Sequence, residues 1–175
     1  MSIIQSPGFV EYKAPFKPEL DKPSVILFGS IERNVTAGWQ AELSSALSDL
    51  PIAILNPLRE DWDSSWVEDI SFPKFREQVE WEMEYAQKAD VIAVYFAPDT
   101  LAPISLLELG MYAGTGKAIV GCPKGFYKRG NVQMVCIRYD IPLVDSKQEL
   151  KDKVRQKLVE KLGDDKPKEP NKDEL

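Results

Sequence analysis

At 175 residues with 43% hydrophobic content, the chain is long enough for one well-packed domain and too short for two comfortable ones. A net charge of -6 and a pI near 4.9 offer no basic face for phosphates, which argues against a nucleic acid partner and for a small neutral or weakly charged one. Histidine is absent, which removes Ser-His-Asp and Cys-His devices and the usual zinc sites, so acid–base work falls to Asp, Glu or Tyr and no metal is expected.

No run approaches the roughly eighteen apolar residues that span a bilayer, and Met1 to Pro23 lacks the charged start and apolar core of a signal peptide. A cytoplasmic protein without a membrane partner is expected. The terminal Lys172-Asp-Glu-Leu175 is an ER-retrieval tetrapeptide that acts only on a chain reaching the lumen, and it is read here as the end of a charged tail. Cys122 and Cys136 sit in apolar segments and read as small buried hydrophobes without a disulfide.

Residues 1–23 carry four prolines and no clear period, which predicts an extended arm whose Phe9, Val10, Tyr12 and Phe16 pack on the body or on a neighbouring subunit. The domain proper is expected over 24–163. Val25 to Phe28 is the first buried strand, and it runs into Gly29-Ser30-Ile31, where a glycine would let a ligand approach the backbone. This loop is neither G-x-G-x-x-G nor a P-loop, so no dinucleotide or triphosphate cofactor is indicated.

Trp39 to Leu50 reads as a helix with Trp39, Leu43, Ala46, Leu47 and Leu50 on one apolar face. Ile52 to Leu55 is the second strand, followed by a loop from Asn56 containing Arg59, Asp61, Trp62, Asp63 and Trp66. Such a loop can offer a stacking wall and polar groups to a heterocycle, with Asp61 and Asp63 bonding a base edge or delivering its proton. The plainer reading makes both tryptophans anchors and both aspartates turn caps.

Phe75 to Ala89 is the next helix, with an apolar stripe of Phe75, Val79, Met83 and Ala86 and with Glu82 at its edge. On this reading Trp81 faces outward among Glu77, Glu84 and Lys88, as at an interface. Val91 to Phe96 is a continuous β-branched and aromatic run, the signature of a strand buried on both faces of a parallel sheet. After Pro98-Asp99, a helix opens at Pro103 and places Ser105 and Glu108 near its start. Open α/β sheets bind ligands beyond the carboxyl ends of their strands, and a helix N-terminus favours an ionised carboxylate, so Glu108 is a candidate nucleophile. A glutamate that merely complements the helix dipole is the alternative.

Ala118 to Cys122 is the fourth strand, Pro123 to Met134 a loop, and Val135 to Tyr139 a fifth strand. Ser146 and Glu149 form a capping box for a last helix with Leu150, Val154, Leu158 and Leu162 on its core face and Gly163 at its end. Residues 164–175 are nearly all charged or proline and predict a disordered tail. Strands alternating with helices give a flavodoxin-like, doubly wound five-stranded parallel sheet in the order 2-1-3-4-5.

The pattern P-D-x-x-x-P-I-S-L-L-E-L-G-x-x-A followed by G-K and a short apolar strand resembles the nucleoside 2-deoxyribosyltransferase family, which also contains nucleoside and nucleotide N-glycosidases. The resemblance runs from Ile26 to about Met134. It implies that Glu108 attacks the anomeric carbon, and that Glu82, eight residues before Asp90, is the acid that contacts the substrate beside it. It further implies that Asn131, in the loop before the fifth strand, reaches a neighbouring subunit's pocket; Gly29, Ser30, Asn56, Asp61, Trp62, Asp63, Ser105 and Met134 are the other candidate substrate contacts, read from their places in the loops around Glu108. Nucleoside and free nucleobase are then the partners, in a homo-oligomer. Two departures stand out: Leu27 where many transferases carry a Tyr, and Ala102 where they carry an Asp. Base transfer is the activity implied, with hydrolysis by the same nucleophile, or a non-catalytic nucleoside-binding module, as alternatives.

Overall fold

The computed structural model describes residues 4–32 and 36–164. The Lys172–Leu175 tetrapeptide and all but Asp164 of the charged tail lie outside the described residues. Six strands make one parallel sheet: β1 Val10–Lys13, β2 Ser24–Gly29, β3 Ala53–Asn56, β4 Val91–Tyr95, β5 Ala118–Gly121 and β6 Leu143–Val144, in the order β1-β3-β2-β4-β5-β6. The helices are α1 Trp39–Leu47, α2 Pro73–Lys88, α3 Pro103–Tyr112, α4 Arg129–Tyr139 and α5 Lys147–Asp164.

The doubly wound parallel architecture follows from strands that are buried on both faces and alternate between them. Along β2, Val25 and Leu27 join the core under α1 and α5, while Ile26 and Phe28 join the core under α2, α3 and α4. The expected five-stranded order is corrected at both edges. The arm contributes β1, hydrogen-bonded in parallel to β3 with Val10 opposite Ala53 and Lys13 opposite Asn56. Its Val-Glu-Tyr-Lys alternates in character, as an edge strand does.

At the far edge, Val135–Tyr139 is not a strand but the end of α4, and the short β6 takes the last place. The β-branched run there is overridden by packing: Val132 and Cys136, four residues apart, are buried against the sheet, whereas Ile137 is 75% exposed.

A second correction concerns α2. Its buried face is Gln78, Trp81, Tyr85 and Ala86, and Met83 is exposed. Trp81 is fully buried because the arm covers it, its indole N–H donating to the Phe16 carbonyl at 2.7 Å; Tyr85 donates its hydroxyl to the Pro18 carbonyl at 2.9 Å. The expected outward Trp81 is therefore a core residue satisfied by its own chain. At α5 the Ser146 hydroxyl accepts the Glu149 N–H at 3.2 Å, Glu149 accepts the Asp145 N–H at 2.9 Å, and Leu150, Val154 and Leu158 are buried. Both cysteines are buried free thiols, pushed up to about 11 by burial.

Candidate active site

The loop from β4 into α3 turns within a few residues. Asp99 and Ala102 both take positive φ, 57° and 44°, a left-handed conformation uncommon outside glycine. The turn ends at Pro103, and the Leu106 N–H donates back to the Ala102 carbonyl at 3.1 Å. Glu108 is the sixth residue of α3, one turn further in than the sequence suggests, and it is only 9% exposed. The helix dipole fades over that distance.

The expectation of a readily ionised carboxylate is overturned by this environment. Burial, and then the charge of nearby Glu82, push the Glu108 carboxyl up to about 9. Glu82 is raised as well, by burial, against the opposing effect of a hydrogen bond from Gln78. No hydrogen bond from a described residue reaches the Glu108 carboxyl. The helices thus bring together two carboxyl groups that resist ionising at the same time, so the pair retains a proton at neutral pH.

Two residues absent from the sequence reading complete this cluster. Gln78, one turn before Glu82 on α2, donates from Nε2 to Glu82 Oε1 at 2.8 Å and to the Pro57 carbonyl at 2.9 Å, which fixes its amide orientation. Its Oε1 is buried without a partner among the described residues. Tyr112, one turn after Glu108, stacks on Phe28 at 6.0 Å between centroids, and its phenol is raised by burial, then by Glu108 and Glu82. The four-residue spacing to each glutamate is the signal that could have found both. Leu27 packs in the opposite layer with α1, so the aromatic group beside this cluster comes from Phe28 and Tyr112.

The remaining candidates divide. Ser105 is buried on α3, one turn before Glu108. Gly29 has φ of 150°, and a Cβ there would sit 2.8 Å from Tyr95 N and 2.9 Å from the Trp39 ring. The close approach that requires glycine is therefore to β4 and α1, not to a ligand.

Ser30 is likewise committed: its Oγ accepts the Ala97 N–H at 2.9 Å and lies 2.6 Å from Thr100 Oγ1, which donates to the Ala97 carbonyl. It ties the β2 loop to the β4 loop. Asn56 donates to Glu11 at 2.8 Å and accepts the Leu58 N–H at 3.1 Å, on the α1 side of the sheet.

Asp61 is lowered by Arg59 and then Lys74, and Asp63 by its hydrogen bonds from Ser65. Both stabilise the loop after β3. Trp66 anchors it, with Arg59 over its ring at 5.1 Å and Phe72 at 5.8 Å, while Trp62 packs against Trp66 at 4.9 Å with its ring tilted by 51° and remains 44% exposed. Asn131 and Met134 stand exposed on α4, one turn apart, not in a loop.

A buried pair of carboxyl groups on adjacent helices, beyond the C-terminal end of a central parallel strand, suits glycosidic chemistry. A family model described as nucleoside 2-deoxyribosyltransferase like matches residues 22–126. The chain belongs to that family. The match takes in both glutamates of this deoxyribosyltransferase-like chain and stops before α4, leaving Asn131 and Met134 outside it. No curated protein matches the chain.

Proposed function

We propose that the protein transfers 2-deoxyribose between nucleobases through a covalent sugar ester on Glu108. The observation that carries the reading is the buried Glu82–Glu108 pair, in which burial raises both carboxyls and the charge of Glu82 raises Glu108 further. In the reactive arrangement the proton lies on Glu82 and Glu108 is the carboxylate. Glu108 attacks C1′ as the C1′–N bond breaks through an oxocarbenium-like transition state, and Glu82 gives its proton to the departing base. The incoming base then attacks C1′, Glu108 leaves as a carboxylate, and Glu82 recovers a proton from the incoming N–H. Proton number and charge balance over the cycle.

An unphosphorylated substrate is supported, among the described residues, by the engagement of Ser30 and Arg59. The Ser30 hydroxyl is consumed by Ala97 and Thr100, and the Arg59 guanidinium by Asp61 at 2.5 Å and Glu77 at 2.8 Å. The decisive assay incubates the protein with a deoxynucleoside, with and without a second free base, and follows products by chromatography. A new nucleoside supports transfer. Free base released from a deoxynucleoside monophosphate at least as fast would replace it by hydrolysis.

The same reading includes a homo-oligomer. On the α3–α4 side, Ile104, Leu107, Met111, Met134 and Ile137 are between 44% and 75% exposed, more apolar side chain than isolated surface residues account for. A second copy covering that side would meet Asn131 and Met134 with it.

A further inference from the structure

Gln78 Oε1 is the one buried side-chain polar atom without a partner among the described residues. Buried amides normally use both ends, so an amide that leaves its oxygen unused is held there for its donors. Nε2 donates to the Pro57 carbonyl at 2.9 Å and to Glu82 Oε1 at 2.8 Å. Turning the amide over would set its oxygen against the Pro57 oxygen, which cannot donate, so the donors face only this way.

Three elements fix this contact. Gln78 and Glu82 stand one turn apart on the same face of α2, and Pro57 follows the last residue of β3, where Asn56 is itself held by Glu11 of β1. The second acid is thereby tied to the sheet as well as to its own helix.

The consequence lies in the two oxygens of Glu82. Oε1 accepts an N–H, the role of a carbonyl oxygen, so the proton of a protonated Glu82 belongs on Oε2. No described residue donates to Oε2, and Oε2 is not enclosed, since only Gln78 Oε1 is both buried and unpartnered among the described residues. The proton is left on the oxygen free to meet a base. The same contact opposes the effect of burial on Glu82, whereas the Glu108 carboxyl accepts no such bond and is raised to about 9. A carboxyl that gives up a proton and then recovers one works best with an affinity near the working pH.

We infer that Gln78 is a positioning residue, which holds Glu82 with its proton on Oε2 for delivery to the departing nucleobase. The delivery rests on the base exchange proposed above; the hold on Glu82 does not. Glu108 and Tyr112 of α3 are the titratable groups that feel the charge of Glu82. Arg59, from the loop after β3, is taken up by Asp61 and Glu77, and Lys17 of the arm pairs with Glu84.

The test is a carboxyl ¹³C titration of the full-length protein, labelled at glutamate, with ¹⁵N read at the Gln78 side-chain amide. In the wild-type protein the Gln78 amide should shift with the Glu82 carboxyl, and this shift should vanish in Glu82→Gln. In Gln78→Met, which keeps the length and removes both donors, the Glu82 midpoint should rise by about one pH unit, a roughly tenfold gain in proton affinity for one lost hydrogen bond to a carboxylate. The base-exchange kcat should fall about tenfold in the same variant with KM unchanged, because Gln78 touches no substrate. A Gln78 amide that ignores the titration, or a Gln78→Met protein with a lower urea midpoint and an unmoved Glu82, would overturn the inference and make the contact purely structural. An amide that follows Glu82 in a protein that exchanges no bases removes the proposed reaction and leaves the hold on Glu82; base exchange with an unresponsive amide removes this inference alone.

Discussion

Replacing Glu108 by Gln is expected to make the protein more stable while destroying its activity. The carboxyl has an ordinary value of 4.5 and is raised to about 9 in the folded chain. Below pH 4.5 it is protonated whether folded or unfolded, and its burial imposes no ionisation penalty. As pH rises from there, the unfolded chain releases the proton and the folded chain keeps it, so stability is lost until the folded group also ionises near 9. At pH 7 the interval above 4.5 is about 2.5 pH units at about 1.4 kcal/mol each, or roughly 3 kcal/mol.

Glutamine keeps the shape of the protonated acid and cannot ionise, so Glu108→Gln should gain roughly 3 kcal/mol at pH 7, about 6–12 °C in Tm for a chain of this size. At pH 4 the two proteins should be equal. Urea unfolding of both at pH 4, 7 and 9 measures the difference directly. Parallel stability curves across that range would refute the buried, proton-retaining state of Glu108.

Glu108→Ala should abolish turnover with the far-UV spectrum intact, and Glu82→Ala should lower it roughly a hundredfold, since it removes a positioned proton donor and not the nucleophile; single-turnover chromatography reads both. Because the reactive pair holds one proton, the rate should fall at alkaline pH as the pair loses it, with an apparent limb near the 9 of Glu108, and this limb should move in Glu82→Gln. Gly29→Ala should destabilise the fold by about 1–3 kcal/mol through overlap with Tyr95 and Trp39, seen as a lower urea midpoint at unchanged slope. Light scattering should give a mass above 19.8 kDa, and Ile137→Asp should return it to that monomer value.

The parts of this fold written in local chemistry were legible in the sequence. Val25–Phe28 and Val91–Phe96 are apolar and β-branched throughout because both sheet faces are covered, and the Ser146–Glu149 box is a contact between near neighbours. Features set by distant partners were not. The face of α2 was mistaken because Trp81 reads as exposed until the arm, 65 residues away in sequence, supplies its acceptor.

Val135–Tyr139 has strand-like residues and is helical because Val132 and Cys136 find the core at helical spacing. Around the site, Glu108 and Glu82 were legible as acids on successive helices, whereas the hydrogen bonds that polar loop residues make within the chain were not. Ser30 and Asn56 are instances, bonded to Ala97 and Thr100 and to Glu11, partners distant in sequence.

The N-terminal arm separates two boundaries that are easily taken for one. The family match begins at residue 22, but the cooperative unit begins earlier, because the Trp81 indole and Tyr85 hydroxyl of α2 are satisfied by the Phe16 and Pro18 carbonyls. A chain cut at the family boundary would orphan both donors on the helix that carries Glu82, at about 1–3 kcal/mol for each. It would also strip β1 from β3 and leave an open sheet edge, a template for adding strands from other molecules. What is inherited as the family's domain and what folds as one body therefore differ by one strand, and a chain trimmed to the former would lose solubility and the seating of Glu82 together.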